Sequence, residues 1–318
     1  MELRQLRYFV KMVELGNMTR AANELHVAQS ALSQQLSNLE SSLGVRLFDR
    51  SVQGLKPTHA GTLFHKHAKA ILRHIDDSTN AIRAEILSPS GEVTVAMPAS
   101  SARLIAVPLL KRIIAEYPAI RLKLMEHPSA GLLDLLSRGE VDVVIAVDAL
   151  PAKTHRLYPL LREDLFAVLP ASSRYDSLTL GLKDLAKFPL VLPNQHNSIR
   201  SQLDAAFAKR RLSYRLIAEI NVTSLLALAA LNNVGVTVLP WSAASEYVQS
   251  GQLLARPIVK PSMKRDLSLC VAEGLEPSIA TQVVMRIIKE ICAEMVDMRT
   301  WSGIQILGND LPAFVSQP

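Results

Sequence analysis

The stretch TRAANELHVAQSALSQQLSNLE, residues 19–40, reads as two short helices joined through His26, Val27 and Ala28. Leu32, Leu36, Leu39 and Leu43 step by four, three and four, the spacing of one buried helical stripe. The opposite face then carries Gln29, Ser30, Ser33, Gln34 and Ser37. Just ahead, Asn17 is a good helix cap, and Ala21 and Ala22 are small enough for a close helix crossing. Two such helices on a tight turn predict a helix-turn-helix, whose second helix lies in the major groove of DNA.

After Arg20 no Lys or Arg occurs until Arg46, so this face meets a polyanion without charge. Uncharged amides and hydroxyls suit base edges: a glutamine donates and accepts at adenine N6 and N7, and serine adapts to several bases. The phosphate contacts then fall to the flanks, where Arg4, Arg20, Arg46, Arg50 and Lys56 lie. The last three sit in GVRLFDRSVQGLKPT, which predicts a two-stranded wing with Gly54 at its tip. A helical scaffold whose Gln and Ser merely solvate a surface is the plain alternative. Cap, alanine pair, turn, leucine spacing and basic wing, all in order, argue against it.

Outward from this motif, Leu3, Leu6, Phe9, Val10 and Val13 share one helical face. THAGTLFHKHAKAILRHIDDSTNAIRAEIL predicts one long amphipathic helix, with Leu63, Ala70, Ile75, Ile82 and Ile86 on a stripe that wants a partner. SPSG, residues 88–91, breaks it. His65 and His67, two apart, point to different sides of that helix and make a poor metal pair.

Beyond Gly91 short β-rich runs alternate with helical ones, from EVTVAM and LIAVPLLKRIIAEYP to DLSLCVAE and a final long helix from about Ser278. Such alternation implies parallel strands with crossover helices. Two similar lobes, with chain crossings near residues 161–165 and 264–267, would leave a cleft between them. The length, 318 residues, suits several domains. The excess of 35 Lys plus Arg over 29 Asp plus Glu permits nucleic acid without proving it. Cys270 and Cys292 are isolated, which fits a reducing cytoplasm. The first residues are charged and amphipathic, unlike a secretory signal. The longest apolar tract, VTSLLALAALNNVGVTVLP, is interrupted by Asn232, Asn233 and Gly235, so it predicts a buried helix, a turn and a buried strand and no membrane partner. No phosphate loop, dinucleotide fingerprint or nucleophile-base pair is present, and an enzyme is not expected.

The run LRYFVKMVELGNMTRAANELHVAQSALSQQLSNLESSLGVRLFDR, with LKPTHAG, resembles the LysR-type transcriptional regulators, and the likeness covers essentially the whole chain. RYFVK, HVAQSALSQQ and SIRSQLDAAFAKRRL look most like the nitrogen assimilation control branch. The resemblance implies an α/β multidomain chain: an N-terminal winged helix-turn-helix (residues 1–58), a long linker and dimerisation helix (59–88), and a two-lobed periplasmic-binding-protein-like regulatory region. Lobe I would comprise residues 89–162 and 267–295, lobe II residues 163–266, with a C-terminal tail at 296–318. It further implies a homodimer or dimer of dimers on double-stranded promoter DNA, with RNA polymerase as a further candidate partner. The family's base-reading positions carry over to Gln29, Ser33 and Gln34, and to Ser30, where the family commonly has proline. Gln34 stands where the usual serine-arginine-glutamine run has arginine, a departure that changes the expected half-site.

For a ligand, Ser100, Ser101, Ser129, Asn197, Ser198 and Thr223 lie at the starts of expected helices, where free N–H groups and the helix dipole favour a small anionic effector. Ser101, Ser129, Ser198 and Thr223 are the leading choices, and the resemblance supports the same places. Simple capping explains each one singly. A two-lobed solute-binding protein without catalytic activity, or a regulator that needs no effector, are the alternatives. TWSGIQILGNDLPAFVSQP lies past the final helix, and its Trp301, Ile304 and Ile306 are expected to pack on a lobe or a neighbour.

Overall fold

Apolar residues recurring every three or four positions form α1 (Leu3–Leu15), which buries Leu6, Phe9, Val10 and Met12. It stops at Gly16, whose φ of 60° is the left-handed conformation that glycine adopts freely. Asn17 then caps α2 (Met18–Glu24), its side chain accepting from the Arg20 N–H at 3.0 Å. His26 makes the turn at a φ of 54°, and α3 (Gln29–Leu43) follows. Ala21, Ala22, Leu32, Leu36 and Leu39 close the core between these helices. Two expected core residues do not join it: Leu3 and Leu43 are exposed, each in a terminal turn that extends past the packed part of its helix.

Strands β1 (Phe48–Ser51) and β2 (Gly54–Pro57) pair antiparallel, Phe48 opposite Pro57 and Ser51 opposite Gly54. Helix α4 (His59–Ala84) starts where the Thr58 hydroxyl accepts from the Gly61 N–H at 2.9 Å and donates to the Arg46 carbonyl at 2.8 Å. The expected stripe of α4 needs correction. Ala60, Phe64, Ala68 and Leu72 face the core of the head, with the Phe64 ring edge-on to Phe9 at 5.0 Å. Leu63 is 55% exposed, because the side of the helix spent on the head lies one position further along. Ala70 and Ile75 are half-buried.

The computed structural model describes residues 1–51, 54–84, 89–173, 175–274 and 276–308, without the side chains of 50, 51, 54 and 77–84. The side chain of Ile82, together with Ile86, the expected helix break at Ser88 and the tail from 309 onward, therefore lies outside the described residues. The chain forms two compact units, one holding the head and α4 together with residues 137–140 and 274–279, the other the rest of the regulatory region.

In the regulatory region β3 (Gly91–Met97), α5 (Ala99–Glu116), β4 (Ile120–Glu126), α6 (Leu132–Ser137) and β5 (Val143–Val147) come first. β3 runs parallel to both β4 and β5, and its Val93, Val95 and Met97 on one face and Thr94 and Ala96 on the other are all buried, as befits a strand covered on both faces. The 16-residue β6 (His155–Pro170) follows, then β7 (Leu180–Gly181), α7 (Leu182–Leu185), β8 (Pro189–Leu192), α8 (Ser198–Lys209), β9 (Arg215–Glu219) and α9 (Thr223–Leu231). The region ends with β10 (Thr237–Pro240), α10 (Trp241–Gln249), β11 (Leu253–Val259), β12 (Lys264–Ala272), α11 (Ile279–Asp297) and β13 (Ile304–Ile306). Strand β6 changes partners midway: residues 155–164 pair with β12, whereas 165–170 pair with β10 and β11.

Each half of β6 feeds a separate core. Val95, Ile105, Leu109, Ile145, Leu269 and Ile288 belong to one, and Ala167, Leu169, Leu203, Phe207 and Val238 to the other. The apolar tract expected to hold a buried helix gives α9, but Leu225 and Leu228 are exposed, while Leu226, Ala227 and Ala230 are buried and Ala229 and Leu231 are half-buried against the same core. Its strand, β10, is buried throughout.

Candidate nucleic-acid interface and ligand cleft

On α3, Gln29, Ser30 and Gln34 are exposed and Ser33 is half-buried. Gln29 stands at the first helical position and its amide oxygen accepts from the Thr19 hydroxyl at 3.4 Å. Gln34 donates to Asn38 at 2.9 Å along the helix. Ser30 and Ser33 make no side-chain hydrogen bond among the described residues, so their hydroxyls are open to another molecule. No side chain caps the helix at Ala28, and its first N–H groups are open too.

Around this face Arg4, Arg20, Arg46 and Lys56 are exposed. Arg4 lies 3.7 Å from Glu2, both in water, a contact worth little. Lys56 stands across the wing from Asp49, and Arg50 across from Leu55; the Arg50 side chain is outside the described residues. Sequence reasoning missed Glu40. Its Oε1 accepts from the Leu47 N–H at 2.7 Å and the Phe48 N–H at 3.3 Å, tying α3 to the base of the wing. A lone acid in an otherwise uncharged helix was the available signal.

The ligand candidates fall in two groups, each at the carboxyl ends of two adjacent parallel strands, where α/β sheets bind ligands. Ser100 and Ser101 follow β3, and Ser129 follows β4; Ser198 follows β8, and Thr223 follows β9. Three local expectations change. Ser100 and Ser101 lie inside the first turn of α5, Ser129 opens a short 3-10 turn instead of an α-helix, and Asn197, accepting from the Ile199 N–H at 3.0 Å, is the cap of α8. Ser198 and Thr223 are half-buried first residues of their helices. The Ser101 hydroxyl is buried with no hydrogen-bond partner among the described residues. Ser100 instead accepts from Arg265 Nη2 at 2.8 Å.

Arg265 belongs to a ladder of charge that the sequence reading also missed. Residues 162–164 are Arg-Glu-Asp and 264–266 are Lys-Arg-Asp, and β6 and β12 set them antiparallel: Lys264 opposite Asp164, Arg265 opposite Glu163, Asp266 opposite Arg162. Each rung is an ion pair, with Lys264 Nζ 3.3 Å from Asp164 and Arg162 Nε 2.5 Å from Asp266. Strand pleating turns the outer rungs toward water and the middle one inward. Glu163 is 1% exposed and Arg265 5%. The hydrogen bonds from Arg162 hold the Asp266 carboxyl below its ordinary value against the opposing pull of partial burial. Glu163 also accepts from the Ser242 hydroxyl of α10 at 3.3 Å. A second buried cation, Arg200, is held by Asp204 at 3.0 Å, Glu219 at 2.9 Å and the Pro193 carbonyl at 3.2 Å.

Residues 3–62 match the pattern described as "Bacterial regulatory helix-turn-helix protein, lysR family", and residues 88–293 match "LysR substrate binding domain". The chain belongs to the LysR family of transcriptional regulators. It is 34% identical over 303 residues to the nitrogen assimilation regulatory protein nac of Escherichia coli, covering 95% of this chain and 99% of that one. The nac protein of Klebsiella aerogenes is 34% identical over 289 residues, 91% and 94% of the two chains. The LysR-family fold is shared with a full-length OxyR variant from Pseudomonas aeruginosa at a TM-score of 0.76, 21% identity and coverage of 98% and 99%. It is shared also with full-length CbnR complexed with its target DNA, at 0.63, 24% identity and coverage of 92% and 99%. The chain is a winged helix-turn-helix head with a two-lobed regulatory region, and a regulator, not an enzyme. Among the described residues no helix is long and apolar enough to cross a membrane.

Proposed function

We propose that this LysR-family regulator reads promoter DNA with Gln29, Ser30, Ser33 and Gln34 of α3, while Arg4, Arg20, Arg46, Arg50 and Lys56 hold the phosphates on either side. The observation that carries this reading is an exposed, uncharged polar face bordered by exposed cations. Amides and hydroxyls discriminate bases, whereas the rim supplies the salt-sensitive, sequence-independent part of the affinity. The open N–H groups at the start of α3 add a phosphate contact. Residues 1–58 serve as the reading head and 59–88 as the pairing helix, whose exposed Leu63 and Ile71 support a homodimer or a dimer of dimers. The work is done in the cytoplasm, with RNA polymerase as a further partner. The likeness to nac supports a role in nitrogen assimilation, and the CbnR complex supports double-stranded DNA as the target.

In the regulatory region, residues 89–162 and 267–295 act as lobe I, 163–266 as lobe II, and 296–318 as the tail. A small anionic effector would bind at Ser100, Ser101, Ser129, Ser198 and Thr223; the buried, unpartnered Ser101 hydroxyl favours this. A second reading, regulation by abundance without an effector, is favoured by Arg265, the buried cation nearest that place, which Glu163 already neutralises. Footprinting on the DNA upstream of its own gene, at fixed salt and with or without a small-molecule extract, separates the two. A footprint that shortens or shifts with extract supports the effector; an unchanged specific footprint supports the second reading. Absence of any specific footprint on that DNA and on DNA selected from random sequence refutes the assignment of α3.

A further inference from the structure

After α11 the chain turns back, and β13 lies on β6 along the edge that β12 leaves open: Ile304 pairs with Glu163, Gln305 with Arg162 and Ile306 with Leu161. The Asp164 N–H donates to the Gly303 carbonyl at 2.7 Å, and the Leu307 N–H to the Leu160 carbonyl at 3.1 Å. Trp301 is buried in the core of the first lobe, and its indole N–H donates to Glu163 Oε2 at 3.1 Å. The second lobe is gripped as well. Trp241, at the start of α10, donates its indole N–H to the Thr300 carbonyl at 3.4 Å. Gly303 lies against Phe166 so closely that a Cβ there would stand 2.7 Å from the ring, at a φ of 72° that disfavours side chains.

These contacts converge where β6 passes from one core to the other. The Glu163 carboxylate gathers Arg265 of β12, Ser242 of α10 and Trp301 of the tail, so three parts of the region share one buried anion. Through Arg265 the same anion reaches Ser100 at the start of α5. A strand that merely covered an open edge would need neither a buried tryptophan nor contacts to both lobes.

We propose that the β6 edge at residues 160–164, with its tryptophan pocket, is a peptide-binding groove, and that its ligand is this chain's own segment 300–307, bound in cis and fixing the angle between the lobes. The recognition is strand addition, backbone pairing for affinity and one side-chain pocket for specificity. Since the segment hydrogen-bonds to the last residues of one half of β6 and lies against Phe166 at the start of the other, its release frees the passage to bend.

The test uses the full chain carrying Lys153→Cys and Lys209→Cys, exposed positions on the two lobes, spin-labelled and mixed with excess unlabelled chain. Cys270 and Cys292 are buried and their thiols pushed up to about 12, so they escape labelling near neutral pH. Pulsed electron resonance should give one narrow distance for the full chain. A chain ending at residue 299 should give a shifted or broadened one, and a synthetic peptide of residues 299–308 should restore the original. Trp301→Phe should fall between, and Gly303→Ala should match the truncation. A folded truncated chain with the full-chain distribution would overturn the proposal, as would a change that the peptide does not reverse. If the truncated chain does not fold, Gly303→Ala decides, and an unaltered distribution there overturns it.

Discussion

The head and the regulatory region treat polar groups in opposite ways. On α3, amides and hydroxyls stand in water with few internal partners, and the cations around them are exposed. At the passage between the lobes, Glu163 and Arg265 are buried and saturated by each other, Ser100, Ser242 and Trp301. Hydrogen-bonding capacity left unused at a surface is free for a ligand, whereas capacity consumed in the interior holds the fold. The contrast separates reading from bracing. Ser101 departs from this rule in the regulatory region, as Ser173 and Thr237 do: their hydroxyls are buried with no hydrogen-bond partner among the described residues.

The contrast breaks most readily at the ladder. Glu163→Gln leaves the Arg265 charge buried without its counter-ion and should lower stability by about 3–5 kcal/mol in denaturant unfolding. Replacing both partners by apolar residues should recover most of that loss. If Glu163→Gln were nearly neutral, the rung would not be the brace described. In the head, Leu36→Ala should lower stability by roughly 2–5 kcal/mol through the cavity it opens beside Phe9 and Leu32. Its exposed neighbour Gln34→Ala should change stability by no more than about 0.5 kcal/mol. Circular dichroism melts of the two variants check the difference.

The smallest effect is expected at the outer rung. The Asp266 carboxyl titrates below its ordinary value because Arg162 holds it, so the unfolded chain takes up its proton first as acid is added. The stability this pair supplies is therefore complete above the ordinary carboxylate range, about pH 4, and is lost as pH falls through the depressed folded value. Asp266→Asn should lower stability slightly at neutral pH and leave it unchanged below the folded value, so the acid limb of a stability profile flattens slightly. An unaltered acid limb would mean the half-exposed pair is fully screened.

How much of this could be read beforehand depends on how far apart the partners lie in the chain. The helix-turn-helix was legible because Asn17, the alanine pair and the leucine spacing act within a few residues of one another. The orientation of α4 was not: Leu63 and Phe64 are both apolar, and only the tertiary position of Phe9 decides which turns inward. The matching triplets at 162–164 and 264–266 stand about a hundred residues apart, and nothing local says that β6 and β12 pair antiparallel in that register. At the ligand candidates the residue types were right for helix starts, but Asn197, not Ser198, proved to be the cap. The tail alternates like a strand over Ile304–Ile306, yet its partner edge exists only once β6 is in place.

In the head, as proposed, α3 discriminates bases and its rim holds phosphates. Binding of the full chain, of Gln29→Ala and of Arg46→Ala to specific and random DNA across a salt series tests this division most directly. Gln29→Ala should reduce discrimination at one base position by about 1–3 kcal/mol and keep the salt slope. Arg46→Ala should weaken all DNA alike and reduce the slope by about 1. The reverse pattern, a changed slope for Gln29→Ala and a sequence-selective loss for Arg46→Ala, would contradict the account.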